Sequence, residues 1–340
     1  MPASPPADQL APLDVMTFNL RHASASAPHS WAERRPVTRK LLRRESPHLI
    51  CTQEGLYQQL RDIEQDLGAG YAWIGTGREG GSHGEFVAIF YDTGRLIPLE
   101  YDHFWLSETP GTIGSKDESG PEAENAGSPR MVTWVRFQAR GTPSMFYVLN
   151  THLDNRSESA RRRAATQLAR FLANHLDPEL PRIVTGDFNA PAAAGTSVYD
   201  TMLNEGSLVD SWHRAAKRGK HYATWHGYEK PVPGGTRIDW ILTSPDVTTS
   251  YAAINTYRHQ GQYPSDHLPV QAVITLPLPG QLSLRTTQDR ALVSLPAPDR
   301  DLRRAMTSPI GRTARVRAWC GAWCRREPPC GRPRPAAGHS

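Results

Sequence analysis

The stretch Ile183-Val-Thr-Gly-Asp-Phe-Asn189 is the most informative segment of this 340-residue chain. An apolar run ends there in a glycine, and Asp187 and Asn189 follow two residues apart. Because residues i and i+2 of a β-strand point to the same side, both polar side chains are predicted to project together from a strand end. Two further segments, Val148-Leu-Asn-Thr-His-Leu-Asp154 and Tyr263-Pro-Ser-Asp-His-Leu-Pro269, also place Asp beside or near His. Strand ends rich in Asp, Asn and His and without cysteine favour a site for a hard divalent cation, Mg²⁺ or Mn²⁺.

These segments are part of a series of seven motifs: Thr17-Phe-Asn19, Cys51-Thr-Gln-Glu54, Gly84-Glu-Phe-Val-Ala-Ile-Phe-Tyr91, Asn150-Thr-His-Leu-Asp154, Gly186-Asp-Phe-Asn189, Arg237-Ile-Asp-Trp-Ile-Leu242 and Ser265-Asp-His267. One motif alone could arise by chance, but seven in this order between residues 12 and 277 are very specific. The series resembles the endonuclease/exonuclease/phosphatase superfamily, a group of deoxyribonuclease-like metal-dependent hydrolases. The resemblance implies an α/β fold, a four-layer α/β/β/α sandwich of two mixed β-sheets flanked by helices, and hydrolysis of phosphate esters.

The resemblance also implies a role for the polar residues of these motifs. The metal side would comprise Glu54, Asn19 and Asp266. Asp187 would orient or deprotonate the attacking water, and Asn189 would donate a hydrogen bond to a phosphoryl oxygen. Two histidines would flank the phosphate, each with an acid that fixes its tautomer and favours its cationic form. The predicted pairs are His267 with Asp239 and His152 with Glu85.

Five further residues are predicted to contact the substrate or to line its pocket. Arg130 resembles an arginine that contacts phosphate in the deoxyribonuclease-like branch, although a solvent-facing position at a strand edge would suit it nearly as well. Asp154 stands two residues after the histidine of its motif and should share its side of the strand, with Asn155 next to it. Arg21 and His22 follow the first motif and could line the pocket.

The charge of the chain is distributed unevenly. The whole chain carries +5, yet residues 281–340 contain 12 arginines and four acidic residues, which gives that segment +8. The other 280 residues therefore hold 27 basic and 30 acidic side chains, a net charge of −3. A nonspecific binder of duplex nucleic acid normally has a basic face, so composition gives nucleic-acid binding no support in this region. Trp105, Trp134 and Trp240 are interpreted as core residues and not as a platform for stacking bases.

The leading hypothesis is therefore a divalent-metal-dependent phosphoesterase that hydrolyses a phosphodiester or phosphomonoester of a small molecule. A DNA or RNA nuclease of the same superfamily is the alternative. An alternative of another class is a catalytically inactive binding module on this fold. The filled motif positions argue against that third possibility.

Residues 12–279 are predicted to form one catalytic domain, because the first and last motifs must meet in one site. Residues 1–11 and the Arg- and Pro-rich segment 280–340 are predicted to be disordered, with a nucleic-acid-binding role for the basic tail as the alternative. One cysteine, Cys51, precedes the tail, so no disulfide is expected within the domain. No secretory signal and no apolar run of about 18 residues are visible, so we expect no membrane span and a cytoplasmic location.

Apolar periodicity predicts the local structure of the domain. Strands are expected at 14–18, 49–53, 71–75, 86–91, 96–106, 132–137, 146–151, 182–185, 238–242 and 270–276, and helices at 31–44, 56–67, 157–175 and 197–203. Residues 107–129 are rich in Gly, Ser, Glu and Pro and are predicted to form a long loop, of a kind that is often functional. The sequence does not indicate an oligomeric state.

Overall fold

The computed structural model of this chain describes residues 11–118 and 127–277. By its internal contacts the chain divides into Met1–Leu292 and Val293–Ser340, and every described residue lies in the first unit. The segments predicted to be disordered, 1–11 and 280–340, lie outside the described residues apart from residue 11, as do 119–126 of the predicted long loop.

The described residues form thirteen strands and five helices. The strands are β1 (Leu13–Asn19), β2 (Leu49–Gly55), β3 (Tyr71–Ile74), β4 (Phe86–Asp92), β5 (Leu96–Trp105), β6 (Met131–Ala139), β7 (Met145–His152), β8 (Arg182–Asp187), β9 (Val209–Asp210), β10 (Lys217–Arg218), β11 (Asp239–Thr243), β12 (Thr248–Ile254) and β13 (Val270–Thr275). The helices are α1 (Trp31–Glu45), α2 (Tyr57–Leu67), α3 (Glu158–Asn174), α4 (Ser197–Asn204) and α5 (Ser211–Arg214). None of the helices in these ranges is both long and apolar enough to cross a membrane.

The strands form two mixed sheets. The first has the order β10-β12-β13-β1-β2-β4-β3, and the second has the order β5-β6-β7-β8-β11-β9. The central pairs β1–β2 and β7–β8 are parallel, whereas β1–β13 and β8–β11 are antiparallel. The first and last strands of the domain are therefore neighbours, which brings the first and last sequence motifs to one end of the molecule.

Three hydrophobic clusters fill the spaces between layers. Between the sheets, Val15 of β1 packs in one cluster with Val148 of β7 and Ile183 of β8. The outer face of the first sheet packs on α1 and α2, and the outer face of the second sheet packs on α3 and α4. Two sheets face to face with helices outside form the four-layer α/β/β/α sandwich that the sequence predicts, and that prediction is confirmed.

The alternation of side chains along the central strands positions the polar motif residues. Val15, Val148 and Ile183 point into the space between the sheets, and residues an even number further along a strand point the same way. The polar residues that continue these inward rows to the strand ends are Asn19 on β1, Gln53 on β2, His152 on β7, Asp187 on β8 and Asp239 on β11. The pattern that buries the core thus also directs the polar side chains into one end of the inter-sheet space.

Four short or weakly patterned elements are absent from the sequence prediction. β9 and β10 have two residues each and α5 has four, too few for any periodicity to be visible. β12, Thr-Thr-Ser-Tyr-Ala-Ala-Ile, has seven residues, but exposed Thr, Ser and Tyr interrupt its apolar positions. Its pairing with β13 makes it a strand, and a single-sequence pattern does not contain that long-range information.

Asn150 joins the two sheets beneath the polar end. Its side chain is fully buried on β7, and its Nδ2 donates to the carbonyl oxygens of Thr52 (2.8 Å) and Ala88 (3.0 Å) in the opposite sheet. Its Oδ1 accepts hydrogen bonds from Gln53 Nε2 (2.7 Å) and Thr185 Oγ1 (3.3 Å). Every polar atom of this amide is satisfied, so the side chain fixes the separation and register of the sheets at this point.

Asn150→Leu should therefore lower the free energy of unfolding by about 2–4 kcal/mol, because the change removes four buried hydrogen bonds, with Thr52, Ala88, Gln53 and Thr185, and replaces none of them. Urea denaturation followed by circular dichroism measures this loss. The matched control is Asn174→Leu, the same change at an exposed position that ends α3, which should leave the midpoint within experimental error. Equal midpoints for the two variants would contradict the assigned role of Asn150.

Candidate active site

The ends of three neighbouring strands place His152, Asp187 and Asp239 side by side. His152 is the register partner of Asp187 across the parallel β7–β8 pair, and Asp239 is its partner across the antiparallel β8–β11 pair. All three side chains are buried. Since β11 begins where β8 ends, the antiparallel pairing brings the start of one motif to the end of another.

His267 reaches the same place from the opposite sheet. It stands in the turn before β13, and its Nδ1 lies 3.0 Å from Asp239 Oδ2. Burial alone would lower its pKa, but the negative charges of Asp239 and Asp187 raise the pKa of His267 to about 10. The predicted contact between His267 and Asp239 is confirmed, and the imidazole is held as a cation between two carboxylates.

Asp187 is the centre of the cluster. Its Oδ2 accepts a hydrogen bond from Asn19 Nδ2 (2.9 Å) and lies 3.5 Å from His152 Nε2 and 3.8 Å from His267 Nε2. Burial and the charge of Asp239 raise the pKa of Asp187 above its ordinary value. A carboxylate with a raised pKa, in contact with imidazole groups, is suited to accepting a proton near neutral pH.

Glu54 is aimed at the cluster by an irregularity in β2. The strand alternation would turn its side chain away from the inward row, but the β2–β4 register shifts between Thr52 and Gly55, and Glu54 has a positive φ of 60°. Its carboxylate accepts hydrogen bonds from Asn19 Nδ2 (3.1 Å) and from the backbone N–H of His22 (3.1 Å). Burial acts to raise its pKa. Hydrogen bonds from His22 and Asn19, together with the positive charge of His267, outweigh burial and hold the pKa of Glu54 below its usual range.

Glu85 lies beside Glu54 and not against His152. The ligand atoms of His22, Glu54 and Glu85 all lie within 4.8 Å of one another, so these three residues form a group that could hold a metal ion. The Glu85 carboxylate accepts a hydrogen bond from Arg78 Nη1 at 2.7 Å. The predicted partnership of Glu85 with His152 is therefore wrong, because Arg78 provides a full opposite charge where a histidine was expected.

His152 also differs from its expected charge state. Burial and the nearby positive charge of Arg130 lower the pKa of His152 well below its ordinary value. The low pKa opposes the cationic form that the sequence predicts for His152. The sequence could not show that Arg130 and Arg78 lie close enough to oppose a third positive charge.

The strand argument fails for Asn189 and Asp154, because β8 ends at Asp187 and β7 ends at His152. Asn189 has a left-handed φ of 49°, its N–H donates to Asp187 Oδ1 (2.9 Å), and its Nδ2 donates to Leu153 O (3.0 Å). Its amide keeps a second N–H, so the predicted donation to a phosphoryl oxygen stays a prediction. Asp154 Oδ1 instead accepts two backbone hydrogen bonds from the turn that precedes α3, each 2.8 Å long.

The predicted substrate residues lie on two sides of the rim. Arg130 Nη2 donates to Asn155 Oδ1 at 3.1 Å, and Arg130 Nε lies 3.5 Å from Asp154 Oδ2. A small cleft is lined by Arg130 together with Arg78, Glu54, Glu85 and His152. On the other side, Arg21 Nη1 lies 3.6 Å from Asp266 Oδ2. Asp266 is thus paired with a cation, which leaves its predicted role on the metal side a prediction.

Arg34 on α1 organises the rim and has no counterpart in the sequence prediction. The side chain is fully buried. Its guanidinium donates to the carbonyl oxygens of Leu20, Arg21, His22, His29 and Pro264, over distances from 2.6 to 3.2 Å. It therefore fixes the loop after β1 relative to the loop that carries Asp266 and His267. Arg34 is one of five arginines in α1, and only its burial distinguishes it.

Comparison with known proteins assigns the family. A profile described as the Endonuclease/Exonuclease/phosphatase family matches residues 16–267. The chain is similar in structure to an endonuclease/exonuclease/phosphatase family protein from Bacteroides thetaiotaomicron, with 31% identity, a TM-score of 0.70, and coverage of 79% of this chain and 99% of that one. None of the curated proteins matches this chain.

Two further solved structures are similar. One is a mannosyl-6-phosphatase from Bacteroides thetaiotaomicron, with 30% identity, a TM-score of 0.69, and coverage of 77% of this chain and 99% of that one. The other is the human nocturnin catalytic domain, with 20% identity, a TM-score of 0.59, and coverage of 77% and 93%, a likeness that concerns the fold alone. The chain belongs to the endonuclease/exonuclease/phosphatase family and is a hydrolase of phosphate esters.

The charge on His267 can be measured directly. In protein freed of metal, its pKa should lie well above the ordinary value of 6.5, because Asp239 and Asp187 stabilise the cation. Nitrogen-15 NMR of the imidazole through a pH titration measures it. Asp239→Asn should lower this pKa by removing one negative charge, whereas Asp177→Asn, at an exposed loop position, should not change it. An ordinary pKa for His267 in the unsubstituted protein would refute the charge assignment.

Proposed function

We propose that this protein is a divalent-metal-dependent phosphoesterase that acts on a small phosphate ester by in-line attack of an activated water. The observation that carries the proposal is the position of the Asp187 carboxylate. It lies between two histidines, one neutral and one held cationic by Asp239. This arrangement offers a proton acceptor and a fixed positive charge in one buried place, the two functions that ester hydrolysis asks of side chains.

The residues near Glu54 fit a hard cation. Glu54 and Glu85 offer carboxylate oxygens close to each other, and His22 adds a nitrogen. Asp187, Asp239 and His267 form a second group of suitable size, but the raised pKa of His267 keeps both of its ring nitrogens protonated, with Nδ1 on Asp239 and Nε2 3.8 Å from Asp187, and leaves it no lone pair for a metal. We therefore assign the ion, Mg²⁺ or Mn²⁺, to Glu54 and its neighbours, with Asn19 and Asp266 at the edge of that site. Bound there, the ion would neutralise charge on a phosphoryl oxygen.

The chain's own residues would carry the proton transfer and stabilise the developing charge. Asp187 would accept a proton from the attacking water, for which its raised pKa is suited. His267, kept cationic and oriented by Asp239, would stabilise the charge that develops on the phosphoryl oxygens. Asn189 would donate its remaining amide N–H to the same group, while its other contacts keep the side chain in place.

Arg130 and Arg78 support the binding of an anion. Both line the cleft that also contains Glu54 and His152. Within the described residues, Arg78 Nε is buried without a hydrogen-bond partner, and Arg130 Nε has no hydrogen bond beyond its ion pair with Asp154 at 3.5 Å. Buried donors of this kind normally find a partner, and a phosphate group would provide acceptor oxygens for them.

Charge favours a small substrate over a nucleic acid. Residues 1–280 have a net charge of −3, whereas proteins that follow a nucleic-acid backbone have a positive groove or face. The mannosyl-6-phosphatase from Bacteroides thetaiotaomicron, by its name a sugar phosphatase, is matched over 99% of its length at 30% identity. Within this proposal the catalytic unit is residues 12–279.

Hydrolysis should require a divalent cation. The purified protein should cleave p-nitrophenyl phosphate or bis-p-nitrophenyl phosphate with Mg²⁺ or Mn²⁺, lose that activity in EDTA, and regain it on adding either ion. Glu54→Gln should lower kcat/KM by about 100-fold or more, because losing a metal-bound carboxylate removes several kcal/mol of charge stabilisation. The same variant should weaken Mn²⁺ binding in a calorimetric titration, a measurement that requires no turnover.

Glu100→Gln is the matched control for Glu54→Gln. Glu100 lies on the edge strand β5 with a side chain that is 54% exposed. This variant should bind Mn²⁺ and turn over as the unsubstituted protein does. Full activity after exhaustive chelation would contradict the metal dependence, and unchanged Mn²⁺ affinity in Glu54→Gln would contradict the placement of the ion.

His267 and Asp239 should act as a unit. His267→Ala should reduce kcat by at least about 100-fold with the fold intact, because groups of this kind are typically worth about 10²–10⁴ in rate. Asp239→Asn should lose a similar or smaller factor. The double variant should fall well short of the product of the two losses, since each residue works through the other. Steady-state kinetics measures all three, and fully multiplicative losses would mean that Asp239 has another role.

A further inference from the structure

Trp225 lies at the rim of the site, directly opposite His267. The two residues form an antiparallel β-bridge, and the N–H of Leu268 donates to the carbonyl oxygen of Thr224 at 2.7 Å. Residues directly opposite in an antiparallel pair extend their side chains to the same face, with Cβ atoms about 5 Å apart. His267 is buried on that face, whereas Trp225 is 55% exposed. The indole therefore extends to the same face as the catalytic histidine and is exposed to solvent there.

The backbone on both sides of Trp225 is held firmly. Thr224 is fully buried, and its Oγ1 accepts hydrogen bonds from the N–H groups of Ile238 (2.9 Å) and Asp239 (3.2 Å). On the other side, the N–H groups of His226 (2.9 Å) and Gly227 (3.2 Å) both donate to the carbonyl oxygen of Asp266. The segment is thus attached to the strand of Asp239 and to the loop of His267, so the backbone that carries the indole needs no ordering when a ligand binds.

Gly227 accommodates the indole. Its φ is +57°, and a Cβ atom added there would lie 3.2 Å from Cζ2 of Trp225, tighter than an ordinary contact. A side chain at residue 227 would therefore displace the ring. The next residue, Tyr228, stacks its ring on His29 at 3.7 Å. Its hydroxyl oxygen is buried without a hydrogen-bond partner among the described residues, so Tyr228 packs behind the exposed indole and leaves Trp225 as the exposed aromatic surface of this segment.

A single exposed aromatic residue on a protein surface needs no special explanation. Trp225 differs from Tyr101, which is 58% exposed on the edge strand β5, in three respects. Its side chain shares a face with His267, its backbone is fixed on both sides, and a glycine leaves room for its ring. Together these features describe a flat apolar surface at the place where the organic part of a bound phosphate ester would extend out of the site towards solvent.

We propose that Trp225 is a specificity-determining residue on which the pyranose ring of a sugar phosphate monoester packs while the phosphate reaches His267. The C–H face of a sugar ring is flat and apolar, so it matches the exposed face of the indole, while the ring hydroxyl groups stay in contact with solvent. One aromatic surface accommodates one ring, and the negative net charge of residues 1–280 disfavours a polynucleotide. This inference rests on the proposed phosphoesterase function and names the substrate class for the same site.

The test compares three phosphate monoesters in the presence of Mg²⁺ or Mn²⁺: mannose 6-phosphate, glycerol 3-phosphate, which has no ring, and adenosine 5′-monophosphate. Trp225→Ala should raise KM for mannose 6-phosphate about 10-fold with kcat changed less than 2-fold, an effect in the range of aromatic stacking on a ring. The same variant should leave kcat/KM for glycerol 3-phosphate unchanged. Trp225→Phe should recover most of the affinity, and Tyr101→Ala should match the unsubstituted protein on every substrate.

The outcomes separate this inference from the function on which it rests. An equal loss on glycerol 3-phosphate would show that Trp225 supports the site in general, and would overturn the inference. A preference for adenosine 5′-monophosphate, with the Trp225→Ala effect confined to it, would overturn the choice of a sugar. If no ester is cleaved with either metal, the proposed function fails. Calorimetric titration with mannose 6-phosphate then tests whether Trp225 binds the sugar. For the inference to stand, Trp225→Ala must still raise the Kd for mannose 6-phosphate about 10-fold.

Discussion

The hydrogen bond from Asn19 to Asp187 joins the polar ends of the two sheets, and the rest of the site depends on it. Asn19 ends the central strand of one sheet, and Asp187 ends the central strand of the other. The same Asn19 amide group also donates to Glu54. One neutral side chain therefore lies between two carboxylates whose pKa values are shifted in opposite directions. The pKa of Glu54 is lowered and that of Asp187 is raised, so one is a permanent anion and the other can accept a proton.

Much of the fold and part of the site could be predicted from the sequence. The order of the motifs indicates the sandwich, and the apolar alternation along β1, β7 and β8 directs Asn19, His152 and Asp187 to one place. The contact between His267 and Asp239 is also correctly predicted. These features depend on local pattern or on a family motif, and both are properties of the sequence itself.

The wrong or missing predictions have a common physical cause: they depend on what lies across the fold or on where a strand stops. The alternation argument extends two residues too far at Asn189 and at Asp154, because both strands end earlier. Glu85 pairs with Arg78, a residue in a turn with no pattern of its own. Arg34 resembles the other arginines of α1, and only the carbonyl groups that surround it distinguish its role. Trp225 lies outside all seven motifs, and its place beside His267 appears only from the bridge between them.

The pairing of β1 with β13 has a consequence for how the protein is made. Leu13 is the register partner of Ile274, so the strand that carries Asn19 can pair with β2 early but acquires its second neighbour only after almost all of the described chain exists. A chain leaves the ribosome N-terminus first, and contacts between distant segments form late because a long loop must close. Asn19, Glu54 and Asp187 are therefore synthesised well before His267, and before the carbonyl group of Pro264 that Arg34 binds. The growing polypeptide carries an incomplete site throughout its synthesis, and catalytic competence should arise in one late step when β13 is inserted beside β1.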